Sequence, residues 1–421
     1  MLINFKIRNY KVFDEEVRMS FEADMRIKKF LSNTIEINNH NILKVAGVYG
    51  PNNTGKTCLL LALRTIRDIM LKENDISFNN SFKDNKVTEL EIEYEIDKRF
   101  YRYYVKYNSV DNLYIYERLE EKRGNSYHNL LEKKEDGLFI RLSERMNKID
   151  KQFYSDNYPI FMMLKLENTA LDEAQKDYLS FAKSIELIRM DRALNISKTI
   201  SLLKEDEEAK KFIISFIKNC DLNIEDYGYS DNIISDIDIT KELSFINQTN
   251  INKDSFKLWS KHHGFTVPSA FFDSVGTQKI VALAGHIYDA FKNGKILLID
   301  EIDSSLHHVI TRAIIALFNN VLNNKAQLIF ATHDALLMDV RRLFRKEQIW
   351  LTDIDESGKT KLIQLSEFTS RDENGIRGDE EIIDYYLKGR FGGIPTPDLF
   401  DTLFSLLGSE SDGEKENINI G

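Results

Sequence analysis

The stretch that most limits what this chain can fold into runs from Ile42 to Leu60, with its neighbours on either side. An apolar run ends in Gly50-Pro51-Asn52-Asn53-Thr54-Gly55-Lys56-Thr57, and Cys58-Leu59-Leu60-Leu61-Ala62-Leu63 follows with the character of a helix. The pattern is that of a P-loop between a buried strand and a helix. Glycines at 50 and 55 let the backbone curl so that successive N–H groups face an anion at a helix amino end. In such a loop Lys56 reaches the β- and γ-phosphates of a nucleotide, and Thr57 offers its hydroxyl to Mg²⁺. Gly50 through Cys58 is therefore the candidate nucleotide-binding stretch, with the Cys58 side chain read as packed core.

A second apolar run, Lys295-Ile296-Leu297-Leu298-Ile299, ends in Asp300-Glu301. It has the form of a buried parallel strand delivering acids to a sheet edge. Asp300 is placed to hold the Mg²⁺ shell, and Glu301, pointing elsewhere, to polarise an attacking water. Asp303-Ser304-Ser305-Leu306 follows, then a helix from about His308 to Leu322. Gln327–Thr332 forms another buried strand, ending at His333, which can hydrogen-bond a γ-phosphate oxygen or the catalytic water. Upstream, Ser274 and Gly276 stand at the start of a helical run over Ile280–Phe291, where a hydroxyl and backbone N–H groups can meet an anion.

The rest of the chain frames these segments. Leu2–Arg8 and Val17–Phe21 alternate like a hairpin. The turn between them fits either a structural role or a nucleotide contact from Lys11 or Arg8. Alternating runs at 88–96, 100–107, 112–119 and 137–142 predict an antiparallel sheet with one wet face. From Ser143 to Asn219 the pattern reads as helical, including Leu171–Met190. This gives an N-terminal lobe at 1–142, a helical insertion at 143–254, a C-terminal lobe at 255–408 and an acidic, disordered tail at 409–421. The adjacent His262 and His263 make a poor metal site. The net charge of −10 gives no global attraction to nucleic acid, and two cysteines suit a reducing compartment. No apolar run nears the length of a membrane span, so a cytoplasmic protein is expected.

As a set, Gly50–Thr57, Ser274–Gln278, Ile296–Glu301, Asp303–Leu306 and His333 resemble the Walker A, signature, Walker B, D-loop and H-loop of an ABC-type ATPase. Within that clan the chain is similar to the SMC/RecF-like group, in particular to the ATPase part of OLD-family proteins and their stand-alone relatives. The resemblance implies an α/β fold: an ABC-type P-loop head with a mixed core sheet, an antiparallel β subdomain and an inserted helical lobe. It also implies ATP and Mg²⁺ as cofactors, with ATP sandwiched between two copies so that Ser274 and Gly276 of one close on the γ-phosphate held by the other. Asp303 joins the nucleotide-contacting residues in that arrangement. Val275 and Thr277 replace signature glycines, and Gln152 is a weak match for a Q-loop glutamine. By the same resemblance, stand-alone relatives act as sensor or regulatory subunits in antiphage or toxin-like systems. They hold a separately encoded effector such as a nuclease, with a phage protein or DNA as trigger. Too little chain follows His333 for the relatives' nuclease domain. A RecF- or SMC-like ATPase that binds DNA directly is the alternative, and a slowly hydrolysing nucleotide-gated scaffold a third reading.

Overall fold

In a computed structural model the described residues are 1–73, 87–142, 145–166, 169, 171–220, 223–230, 257–368, 382–392 and 394. Residues 74–86, 231–256 and the tail at 409–421 lie outside them. The core is a six-stranded sheet around Val45–Tyr49, whose five residues are all buried. Gln327–Thr332 pairs with it in parallel on one side and Ile349–Ile354 on the other. Ile296–Asp300 and then Ile185–Arg189 extend the parallel array, and Thr360–Gln364 closes the opposite edge antiparallel. Continuous apolar runs mark these strands because both faces of the sheet are covered.

One face is covered by the helix Lys56–Leu71, which buries Leu59, Leu60, Leu63, Ile66 and Met70. That helix is sandwiched between the core sheet and an eight-stranded antiparallel sheet, and a single apolar cluster joins all three layers. In the strand Val87–Ile96, Leu90, Ile92 and Tyr94 face this core. Glu89, Glu91 and Glu93 turn outward and pair with Lys106, Lys6 and Arg102. The aromatic and cationic residues of this sheet are thus β-formers on a half-buried surface. Two side chains tie the layers together. Asp177, on the helix Asp172–Ser184, accepts from Tyr101 Oη at 2.8 Å and Arg99 Nε at 2.7 Å. Gln327 accepts from the Leu2 N–H at 2.6 Å and donates to the carbonyls of Leu2 and Leu43 at 3.0 Å each.

The other face carries the helices Val275–Asn293 and His308–Phe318, with Ile280, Leu283, Ile287, Ile314 and Phe318 over Leu297, Ile299 and Phe330. Beyond the longer helix lie Ser197–Glu205, Glu207–Asn219 and a three-stranded sheet of Asp226–Tyr229, Leu258–His262 and Phe265–Pro268. Gly285 permits the closest approach there, since a Cβ on it would lie 2.5 Å from Thr199 Oγ1.

Several details depart from the sequence reading: within the stretch read as helical from Ser143, Asn147–Ile149 is a strand paired with Gly137–Ile140, and the helix read to about Leu322 ends at Phe318. The run Leu171–Met190 is helical only over Asp172–Ser184; Ile185–Arg189 is the edge strand of the core sheet, where in-register pairing with Ile296–Asp300 overrides helix propensity. The single strand expected over Ile42–Tyr49 is two. His40–Leu43 pairs with Thr34–Ile37, and Lys44 marks the break by sending its ammonium to Asn320 O at 2.8 Å. Ser126–Lys134 is a strand that its irregular pattern did not announce.

Candidate nucleotide-binding site

The P-loop leaves the central strand at Gly50, whose φ of 153° is in the region that favours glycine. A Cβ there would meet Thr352 Oγ1 at 2.3 Å and the Thr352 carbonyl at 2.6 Å, so the neighbouring strand demands a glycine. Thr54 braces the loop, donating to Pro51 O at 2.9 Å and meeting Thr352 Oγ1 at 2.7 Å. Asn53 (φ 65°) and Gly55 (φ 98°) complete the turn. Gly55 is the N-cap residue and brings no side chain, so it leaves the first-turn N–H groups facing the loop. Lys56 Nζ donates to Gly50 O at 2.8 Å and Pro51 O at 2.6 Å, and lies 3.3 Å from His333 Nδ1. Burial pulls its pKa down to about 8, against the opposing pull of Asp300, Glu301 and Asp303.

The acids arrive from the adjacent strands. Thr57 Oγ1 donates to Asp300 Oδ1 at 3.1 Å. Burial raises the Asp300 pKa, offset in part by the Thr57 hydrogen bond and by Arg189, whose Nε is 3.9 Å from Oδ2. Glu301 takes a left-handed φ of 52°, which turns the chain sharply after the strand, and its side chain is half-buried. Ser305, at φ 66°, is a second such position four residues on. Strain of this kind persists where surrounding structure fixes it, often at working sites. Asp303 Oδ1 accepts from Thr332 Oγ1 at 2.7 Å, which locks this loop to the strand that delivers the exposed His333.

Ser274 caps the helix Val275–Asn293, its Oγ accepting from the Thr277 N–H at 3.1 Å. Gly276 lies against the Asp303–Leu306 loop: a Cβ on it would be 2.7 Å from Ser305 O. Lys279, one turn further, donates to Met190 O and to Ser305 Oγ at 3.0 Å. The turn Asn9–Phe13 is laid on the P-loop. Tyr10 Oη meets Thr65 Oγ1 at 2.9 Å, and Val12 Cγ2 is 3.0 Å from where a Cβ on Gly55 would lie. Lys11, at φ 49°, has its ammonium 5.8 Å from the centroid of the Tyr10 ring, and its charge partly counters the rise that burial imposes on the Cys58 thiol pKa. Arg8, the other residue considered, approaches Glu89 on the antiparallel sheet at 3.8 Å.

Thus the structure brings together Gly50–Thr57, Asp300, Glu301, Asp303 and His333, leaves Lys11 on the turn laid against the P-loop, and groups Ser274 and Gly276 with Ser305. Gln152 is exposed in the single turn Lys151–Phe153. The carboxyl end of the edge strand brings Arg189 to Asp300 instead, and Arg189 pairs with Asp191 at 2.9 Å. Sequence reading missed Arg189 and Asp191 because their segment looked helical, and it missed Lys279 because a lysine on a helix resembles any solvated one. The Gly389–Gly392 stretch is a packing turn: Phe391 is buried and the Arg390 guanidinium sits 4.3 Å over the Tyr385 ring.

Among the described residues no group of three or more His, Cys, Asp or Glu could hold a metal by itself. A cation beside Thr57 and Asp300 would complete its shell with phosphate and water oxygens, as Mg²⁺ prefers. Among the described residues no helix is long and apolar enough to cross a membrane.

The structure is similar to the SMC head domain from Thermotoga maritima, at 12% identity over 86% of this chain and 98% of that chain, with a TM-score of 0.42. It is also similar to the SmcHead bound to the C-winged helix domain of ScpA, at 13% identity over 87% and 98%, with a TM-score of 0.43. No curated protein matches the chain. The family model described as "AAA domain, putative AbiEii toxin, Type IV TA system" matches residues 45–339, from the P-loop strand to beyond His333, and the chain belongs to this P-loop AAA-domain family.

Proposed function

We propose that the protein is an ATP-binding and hydrolysing switch that closes as a dimer around ATP and controls a separately encoded effector, a nuclease or toxin, in prokaryotic antiphage defence. The observation that carries the ATPase reading is the meeting of Thr57 with Asp300 at 3.1 Å, directly after a lysine held on P-loop carbonyls. That pair fits Mg²⁺, which when bound neutralises charge on the phosphates. Lys56, now satisfied by the Gly50 and Pro51 carbonyls, exchanges them for phosphate oxygens. Glu301 orients water, and His333 holds a γ-phosphate oxygen beside Lys56.

Exposed apolar side chains support a second copy as partner. Phe272 and Val275 flank Ser274, Val309 follows the Asp303–Leu306 loop and Leu336 follows His333, all more than half exposed. The effector role rests on the toxin-system description of the family and on the resemblance to stand-alone OLD-like proteins. The test is the solution mass of Glu301→Gln with and without ATP and Mg²⁺, alone and with the product of the neighbouring gene. A nucleotide-driven dimer or larger assembly that retains that product is the expected result. A variant that stays monomeric and partner-free overturns the switch, and DNA-stimulated hydrolysis with steep salt dependence would replace it with direct DNA binding.

A further inference from the structure

We infer that Asp273 is a positioning residue for Ser274, holding the signature serine in place through two buried hydroxyl relays rooted in the three-stranded sheet. This rests on the role proposed for Ser274. The Asp273 side chain has no exposed surface, and it directly precedes Ser274. Its Oδ1 accepts from Ser260 Oγ at 2.8 Å and its Oδ2 from Ser269 Oγ. Each serine has given its one hydrogen to the carboxylate, so each serine oxygen accepts from the next group outward. For Ser260 that group is His262 Nε2, at 3.0 Å; for Ser269 it is Tyr227 Oη.

The relays run His262 to Ser260 to Asp273, and Tyr227 to Ser269 to Asp273. They draw on the strands Asp226–Tyr229 and Leu258–His262 and on the turn Ser269–Phe272. Ser260, Ser269 and Tyr227 are all buried. The backbone of Asp273 is held as well, its N–H by Ser269 O at 2.9 Å and its carbonyl by Gln278 Nε2 at 3.2 Å.

Serine, histidine and aspartate within reach of one another suggest a nucleophile, but the geometry assigns another use. Ser260 has no exposed surface, and its hydrogen points to the carboxylate instead of the imidazole. A fully connected buried network admits one arrangement of its members, and here that arrangement fixes where the chain enters the Ser274 cap. A displacement of the small sheet is therefore delivered to Ser274.

Asp273→Asn keeps the shape and removes one acceptor. The expected result is kcat lowered about 10- to 100-fold, with ATP affinity within about twofold of the parent. Because Ser274 serves the partner's nucleotide, mixing Asp273→Asn with Lys56→Ala should restore activity at one of the two sites, as should mixing Ser274→Arg with Lys56→Ala. Ser260→Ala, which removes a single donor, should show the same split of kcat from affinity at smaller size, and it is read in place of Asp273→Asn if that variant does not fold. Unchanged kcat, or affinity lost together with kcat, overturns the inference. So does failure of the Asp273→Asn mixture where the Ser274→Arg mixture succeeds. If neither mixture recovers, the sandwich reading has failed, and the kcat split alone then decides whether Asp273 sets Ser274.

Discussion

Binding of a polyphosphate to this protein should be linked to a proton on Lys56, and the linkage can be sized from the site. A lysine in water has a pKa near 10.5, and burial brings Lys56 down to about 8. The charged form is therefore disfavoured by about 3 kcal/mol relative to water. A phosphate placed against Nζ favours the ammonium and raises the pKa again in the complex. Below about pH 8 Lys56 is already charged and contributes no pH dependence. Above it, the free protein must take up a proton to bind, so affinity falls by up to about tenfold per pH unit until the pKa of the complex is reached. The terminal phosphate of ATP adds nothing in this range, since its last pKa is about 6. Titration calorimetry at pH 8 in two buffers of different ionisation enthalpy should report uptake of about half a proton. Lys56→Arg, charged throughout, should abolish the uptake while retaining weaker binding. Buffer-independent heats together with constant affinity between about pH 7.5 and 9.5 would refute the argument.

Two further outcomes follow from close contacts. Gly276→Ala drives a Cβ to 2.7 Å from the Ser305 carbonyl, and backbone must yield; steady-state kinetics should show turnover down about tenfold with ATP affinity unchanged. Gln327→Leu leaves the buried Leu2 N–H and two carbonyls without their partner. It should cost about 2–4 kcal/mol and lower the melting temperature by several degrees in a thermal scan, whereas a melt within 1 °C of the parent would show that water or the backbone replaces those bonds.

The parts of the site that were legible are those whose chemistry dictates a local pattern. Gly50 and Gly55 hold positive backbone φ angles of 153° and 98° that the tight loop itself imposes and that glycine favours, and Asp300-Glu301 ends a run that only a doubly covered strand would carry. What stayed hidden depends on pairing at long range. Ile185–Arg189 has the residues of a helix and becomes a strand because Ile296–Asp300 offers an open edge, so Arg189 could not be placed beside Asp300 from its neighbours. Lys279 and Asp273 are similar cases. Their meaning lies in Ser305, Met190 and Ser260, which no sequence spacing connects to them.

The position of the P-loop strand also sets a schedule for biosynthesis. Both partners of Val45–Tyr49, Gln327–Thr332 and Ile349–Ile354, follow it by nearly 280 residues or more. At about 5–20 residues per second, a ribosome needs roughly 15 to 60 s to supply the first of them. During that interval a five-residue apolar strand, already made, has neither neighbour to pair with, while the antiparallel strands at 87–134 can zip together locally. The nascent chain therefore holds a folded β layer and an unpaired core strand side by side, a state that a holding chaperone would recognise and that makes the core sheet the last part of the molecule to close.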